Sequence, residues 1–150
     1  MITAAILLVA VILVLCTFIS SDRLILKNAD TGQVFGRFPL SDDKEFAVTF
    51  VHSVNKSPVT DVYQVRGKKI YLIETIYYGF GAGVPSELYG NEIFLFGENG
   101  EIIISNMDTY LPNLTYVVGT VSDHTLSING EEISLRDLCG RNSSVKFEIS

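Results

Sequence analysis

From position 22 onward, apolar residues recur at every second position in short runs, and no helical stripe of period 3.6 is sustained. The runs RLILK, QVFGRF, EFAVTFVH, TDVYQVR, KIYLIETIYY, EIFLF, EIIIS, LTYVVG, HTLSI, EEISL and VKFEI are rich in Val, Ile, Tyr and Phe, and each predicts a strand. Turn residues fall between them at Asp30-Thr31-Gly32, Arg66-Gly67, Glu98-Asn99-Gly100 and Asn129-Gly130. The last is the strongest signal, because Asn-Gly accepts the positive φ of a type I′ hairpin. EEISLRDLCGR is the best helical candidate and ends in Gly140 as a capped helix would, but it is brief and strand is preferred there. The pattern predicts an all-β fold, an antiparallel sandwich or barrel-like domain over residues 22–150.

Ahead of it, residues 2–19 form an unbroken apolar run without a charge. As a helix rising 1.5 Å per residue the run reaches about 27 Å, close to the roughly 30 Å of a bilayer's hydrocarbon core. Residues 1–21 therefore read as one N-terminal transmembrane helix or a signal. An uncleaved anchor is preferred, since no base precedes the run, Ser20 and Ser21 make a poor cleavage site, and Leu15 stands where a lipidated Cys16 would want a small residue. Arg23 and Lys27 on the far side would hold the domain in the cytoplasm by charge count, a rule that weakens for long soluble domains.

All seventeen acids and eleven bases lie beyond this leader, so the domain carries the net charge of −6. That sign opposes nucleic acid, whose binding rests on clustered Lys and Arg. The one basic cluster, Arg66, Lys68 and Lys69, surrounds a glycine and reads as a solvated hairpin turn. The positions of Cys16 and Cys139, one in the leader and one near the far end, argue against a disulfide. The chain contains no G-x-S-x-G, H-E-x-x-H, C-x-x-C or GxxxxGK[ST] motif and only two histidines, His52 and His124. NADTG echoes a calcium loop, yet Pro39 occupies the bidentate position and a turn is the better reading. No catalytic residue, metal site or cofactor is predicted.

Two polar residues interrupt apolar rows. His52 is in phase with Phe46, Val48 and Phe50, while Glu74 is in phase with Ile70, Leu72, Ile76 and Tyr78. Ser53 points away from His52's face. A buried carboxylate seeks a partner, so His52 and Glu74 are candidates for each other, with Asp61, in phase with Val59, Tyr63 and Val65, as a third member. Such a group could fix sheet register, recognise a polar ligand or partner, or act as a His-Glu catalytic site. After the Glu74 strand comes GFGAGVP, whose glycines at every second position do not match a dinucleotide loop and read as a bulge or close backbone approach.

HSVNKSPVTDVYQV followed by ETIYYGFGAGVP, behind a membrane-length leader, resembles the DUF1850 family of small membrane-anchored proteins encoded beside TAXI-type TRAP transporters. The resemblance spans residues 46–85 and falls on His52, Ser53, Pro58, Val59, Tyr63, Glu74, Thr75, Gly81, Ala82, Gly83 and Pro85. Thr60-Asp61 stands where the family often has two acids, and Ile76-Tyr77-Tyr78 replaces a more polar stretch. The resemblance implies a non-enzymatic accessory protein on the extracytoplasmic side, contacting the TRAP permease or the TAXI solute-binding protein. An extracytoplasmic module that binds or senses a polar organic solute is the alternative. His52, Ser53, Asp61, Tyr63, Glu74, Thr75, Gly81 and Gly83 are the candidate ligand- or partner-binding residues under either.

Overall fold

A computed structural model of the chain describes residues 22–54, 56–78 and 90–150. The expected transmembrane helix over residues 1–21, and Gly81 and Gly83, lie outside the described residues. Among the described residues no helix is long and apolar enough to cross a membrane.

Twelve strands are present among the described residues: β1 (Arg23–Asn28), β2 (Val34–Pro39), β3 (Glu45–Val51), β4 (Pro58–Arg66), β5 (Lys69–Tyr78), β6 (Ile93–Phe96), β7 (Glu101–Ser105), β8 (Thr109–Tyr110), β9 (Thr115–Val117), β10 (His124–Ile128), β11 (Glu131–Ser134) and β12 (Ser144–Ile149). They form two open antiparallel sheets. A small one has the order β2-β1-β12-β9, and a large one runs β11-β10-β3-β4-β5-β7-β6, with β8 pairing onto β5. The expected all-β class is therefore realised as a sandwich, and among the described residues neither sheet closes into a barrel.

The sheets meet through their alternating inward residues. Leu24 and Leu26 of β1 and Val145 and Phe147 of β12 pack with Phe46, Val48, Tyr63, Val65 and Leu126 of the large sheet. Phe46 and Phe147 stack across the interface at 5.8 Å. A second cluster, Val59, Tyr77, Ile102 and Ile104, continues the core beneath β5 and β7.

Turn chemistry explains the tight connections. Asn129 and Gly130 both adopt positive φ, at 53° and 77°, as the β10–β11 hairpin requires. Asn28 accepts through Oδ1 from the backbone N–H of Asp30 and Thr31, so NADTG is a turn. EEISLRDLCGR divides between states. Glu131–Ser134 is strand, and a helix α1 (Leu135–Cys139) follows, where Ser134 caps the N-terminus by accepting from Asp137 N–H and Gly140 terminates it. Preferring strand throughout missed this capped turn.

Candidate functional site

The centre of the large sheet's inner face carries a polar group inside an apolar row. Strand register aligns Leu126, Val48, Asp61, Thr75, Ile104 and Phe94 side by side across β10, β3, β4, β5, β7 and β6. Asp61 and Thr75 are the polar pair in it. Thr75 Oγ1 donates to Asp61 Oδ1 at 2.9 Å, and Tyr116 Oη, from β9 of the opposite sheet, donates to Asp61 Oδ2 at 2.9 Å. Tyr63 Oη lies 2.5 Å from Tyr116 Oη and 3.4 Å from the same carboxylate oxygen. Because Tyr116 has one proton and gives it to Asp61, Tyr63 donates to Tyr116, and the hydroxyls form a directed chain ending on the carboxylate.

Burial, and then the negative charge of Asp61, push the Tyr63 phenol well above its ordinary range. Tyr116 is raised by burial, then by Tyr63 and Asp61. Both remain neutral donors. The Tyr116–Asp61 bond clamps one sheet to the other.

His124 extends the cluster. Its ring stacks on Phe50 at 5.6 Å and meets Tyr116 edge-on at 5.7 Å. Its Nδ1 accepts from Gly119 N–H at 3.1 Å, which leaves the proton of the neutral ring on Nε2. Burial lowers its pKa, with the Asp123 charge opposing and Arg136 reinforcing that effect. Asp123 in turn accepts from the backbone of His124 and Arg136 and from Ser134 Oγ, so that, against the cost of burial, these bonds hold its carboxyl below the usual range. Arg136 donates to the Val121 carbonyl at 3.0 Å, pinning the loop in front of His124.

The structure separates His52 from Glu74. His52 lies beyond β3 in a turn where its N–H donates to Ser57 O, its carbonyl accepts from Lys56 N–H and its Nδ1 accepts from Val54 N–H at 3.3 Å. Ser53 is exposed in the same turn. Glu74 pairs with Val62, five residues along β4 from Ser57, or roughly 17 Å at about 3.3 Å per residue. A register shift is the cause. Val62 faces Glu74 but Tyr63 faces Leu72, so Ile73 is an extra residue in β5. Such a bulge inverts the alternation beyond it. Ile70 and Leu72 point into the core, whereas Glu74, Ile76 and Tyr78 turn to the outer face and Thr75 and Tyr77 turn inward. The buried His52–Glu74 pair expected from a single unbroken phase is thus not formed.

Of the residues singled out from sequence, Asp61, Tyr63 and Thr75 converge, while His52, Ser53 and Glu74 lie elsewhere. Tyr116 and His124 complete the cluster and were missed. Tyr116 sits at an inward position of a three-residue strand, and the signal that could have found it is its alternation with Leu114 and Val118, both buried.

On its outer face the large sheet has no second layer among the described residues. One lateral row runs Thr125, Thr49, Thr60, Ile76, Ile103, Leu95. The next contains Ser127, Ala47, Val62 and Glu74. That row continues to Glu132 of β11, and Glu74 lines a shallow groove with Glu45, Gln64, Arg66 and Met107.

The family model described as Domain of unknown function (DUF1850) matches residues 46–135. The chain belongs to this family. The DUF1850 match takes in β3 to β11 and leaves out β1, β2 and β12, three of the four strands of the small sheet. The DUF1850 region therefore supplies the whole large sheet together with Asp61, Tyr63, Thr75, Tyr116 and His124. No curated protein and no solved structure matches the chain.

Proposed function

We propose that this DUF1850 chain is a non-enzymatic accessory protein of a TAXI-type TRAP solute transport system, anchored by residues 1–21 and holding the permease or the solute-binding protein against its β domain. The observation that supports this reading is the outer face of the large sheet, where neutral and apolar side chains run from Thr49 through Ile76 and Ile103 to Leu95 beside a groove that carries Glu74, Glu45 and Arg66. Apolar surface with no covering layer among the described residues marks protein contact. The same face gives Glu74 a role, since charged groups at the border of an apolar patch, here Glu74 with Glu45 and Arg66, fix the register of a partner. The small-ligand alternative has less support, because both oxygens of Asp61 already accept hydroxyl protons.

The test is co-purification of the full-length anchored chain with transporter components. Wild-type protein should recover the permease or the binding protein, and Ile76→Asp and Ile103→Lys should lose it while keeping the wild-type circular dichroism spectrum. A wild-type chain that recovers neither component would overturn the proposal.

A further inference from the structure

The segment between β9 and β10 is fixed at both ends and held in the middle by two side chains. Upstream, Val118 is fully buried; its N–H donates to Ser143 O and its carbonyl accepts from Asn142 N–H, both at 2.9 Å. Downstream, His124 lies in β10, paired with Phe50 of β3. Between these points Gly119 N–H donates to His124 Nδ1 at 3.1 Å, and Arg136 Nη2 donates to the carbonyls of Gly119 at 3.4 Å and Val121 at 3.0 Å. Val121, at the tip, is 90% exposed, so its side chain adds little packing to these bonds.

The bond to the ring exists in one protonation state only. Neutral imidazole offers Nδ1 as an acceptor, whereas imidazolium carries a proton on both nitrogens. Proton uptake therefore sets a donor against the Gly119 donor. It also adds a positive charge beside Arg136, whose guanidinium holds the same loop and disfavours the charged ring, while Asp123 favours it. Of the other elements around the ring, β3 contributes the uncharged Phe50, β9 the phenol of Tyr116, which stays neutral, and β11 Ser134, whose hydroxyl is bound to Asp123. The ring itself stays in place when charged. Phe50 stacks on it at 5.6 Å, a face that attracts a cation, and β10 keeps its pairing with β3 and β11.

We propose that His124 is the catch of an acid-released loop: its neutral ring holds residues 119–122 against the sandwich, and its protonation frees them while both sheets stay folded. Burial lowers the ring's pKa, so release begins below the ordinary histidine value of about 6.5. The device does not rest on the accessory role above. Opening uncovers His124 and Arg136, both only partly exposed while the loop is closed, and so converts acidity into a changed surface.

The chain contains no tryptophan, so Val121→Trp in the full-length protein in detergent gives a single indole at the loop tip. Its fluorescence anisotropy should be steady above about pH 7 and fall in one step with a midpoint below about 6.5, the circular dichroism spectrum staying unchanged. Protection of the Gly119 amide against hydrogen exchange, corrected for the intrinsic rate at each pH, should drop about tenfold across the same step, as expected for one hydrogen bond. His124→Gln does not titrate at this position and should abolish the step, whereas His52→Gln should leave it in place. Arg136→Gln removes the repelling charge and should move the midpoint to higher pH; Asp123→Asn removes the attracting one and should move it lower. These two shifts, which a merely structural histidine would not produce, keep the proposal testable should His124→Gln fail to fold. A step that survives His124→Gln, anisotropy that stays flat while the His124 ring titrates, or loosening that comes only with loss of the circular dichroism spectrum would overturn the proposal.

Discussion

Tyr116 of the small sheet donates a 2.9 Å hydrogen bond to Asp61 of the large sheet, across 55 residues of sequence. That bond satisfies the one charge in its apolar row and joins the two layers of the sandwich. Hydrogen bonds to charged groups contribute about 1.5–3 kcal/mol. Tyr116→Phe should lower unfolding free energy by that amount in urea titration. Tyr63→Phe, which loses a bond between neutral hydroxyls, should cost about 1 kcal/mol. Equal costs, or none for Tyr116→Phe, would contradict the directed chain.

His52 and Glu74 are independent if the β5 bulge places them as described. The stability changes of His52→Gln and Glu74→Gln should then add in the double variant to within about 0.5 kcal/mol. A coupling larger than 1 kcal/mol would restore the pair.

The pH profile of stability should have two acid legs. His124 has a lowered folded pKa, chiefly from burial, so the unfolded chain takes up its proton first, near pH 6.5. Its contribution is complete above that value and is lost as pH falls through the window beneath it. His124→Gln should flatten the slope between about pH 7 and 5. Asp123, also lowered, contributes stability that is present above about pH 4 and is lost below it. Asp123→Asn should shrink this second leg. Thermal melts across pH would show whether either slope survives its substitution.

Gly119 is required by close approach. A Cβ there would lie 2.1 Å from the Ser122 carbonyl oxygen, a backbone atom that cannot yield without moving the loop. Gly119→Ala should destabilise by about 1–3 kcal/mol and shift the His124 ring signals in NMR spectra. Unchanged ring signals would mean the loop accommodates the methyl group without disturbing His124.

Orientation can be read chemically. Cys139 is buried and its thiol is pushed up to about 11, which makes it a poor target for thiol reagents. Val121 is 90% exposed on a loop tip. Val121→Cys in the full-length chain should react with a membrane-impermeant maleimide in intact cells if the domain faces outward, and Cys139 alone should give no signal. Labelling of Val121→Cys only after permeabilisation would place the domain in the cytoplasm.

Local pattern went far in this chain. Among the described residues, alternation alone located eleven of the twelve strands, missing only the two-residue β8, and Asn129-Gly130 marked its hairpin, because a pleated backbone and a positive-φ turn are properties of adjacent residues. Asp61 was also legible as a charge in phase with Val59, Tyr63 and Val65. Tertiary structure decided what that charge meets. One extra residue at Ile73 inverted the face of Glu74, and such a shift shows only when β4 is laid against β5. Tyr116 came to Asp61 from the other sheet, a pairing set by how two layers pack. Side-chain alternation has a period of two residues and is therefore written in the sequence, while register slips and contacts between sheets depend on which distant strands become neighbours.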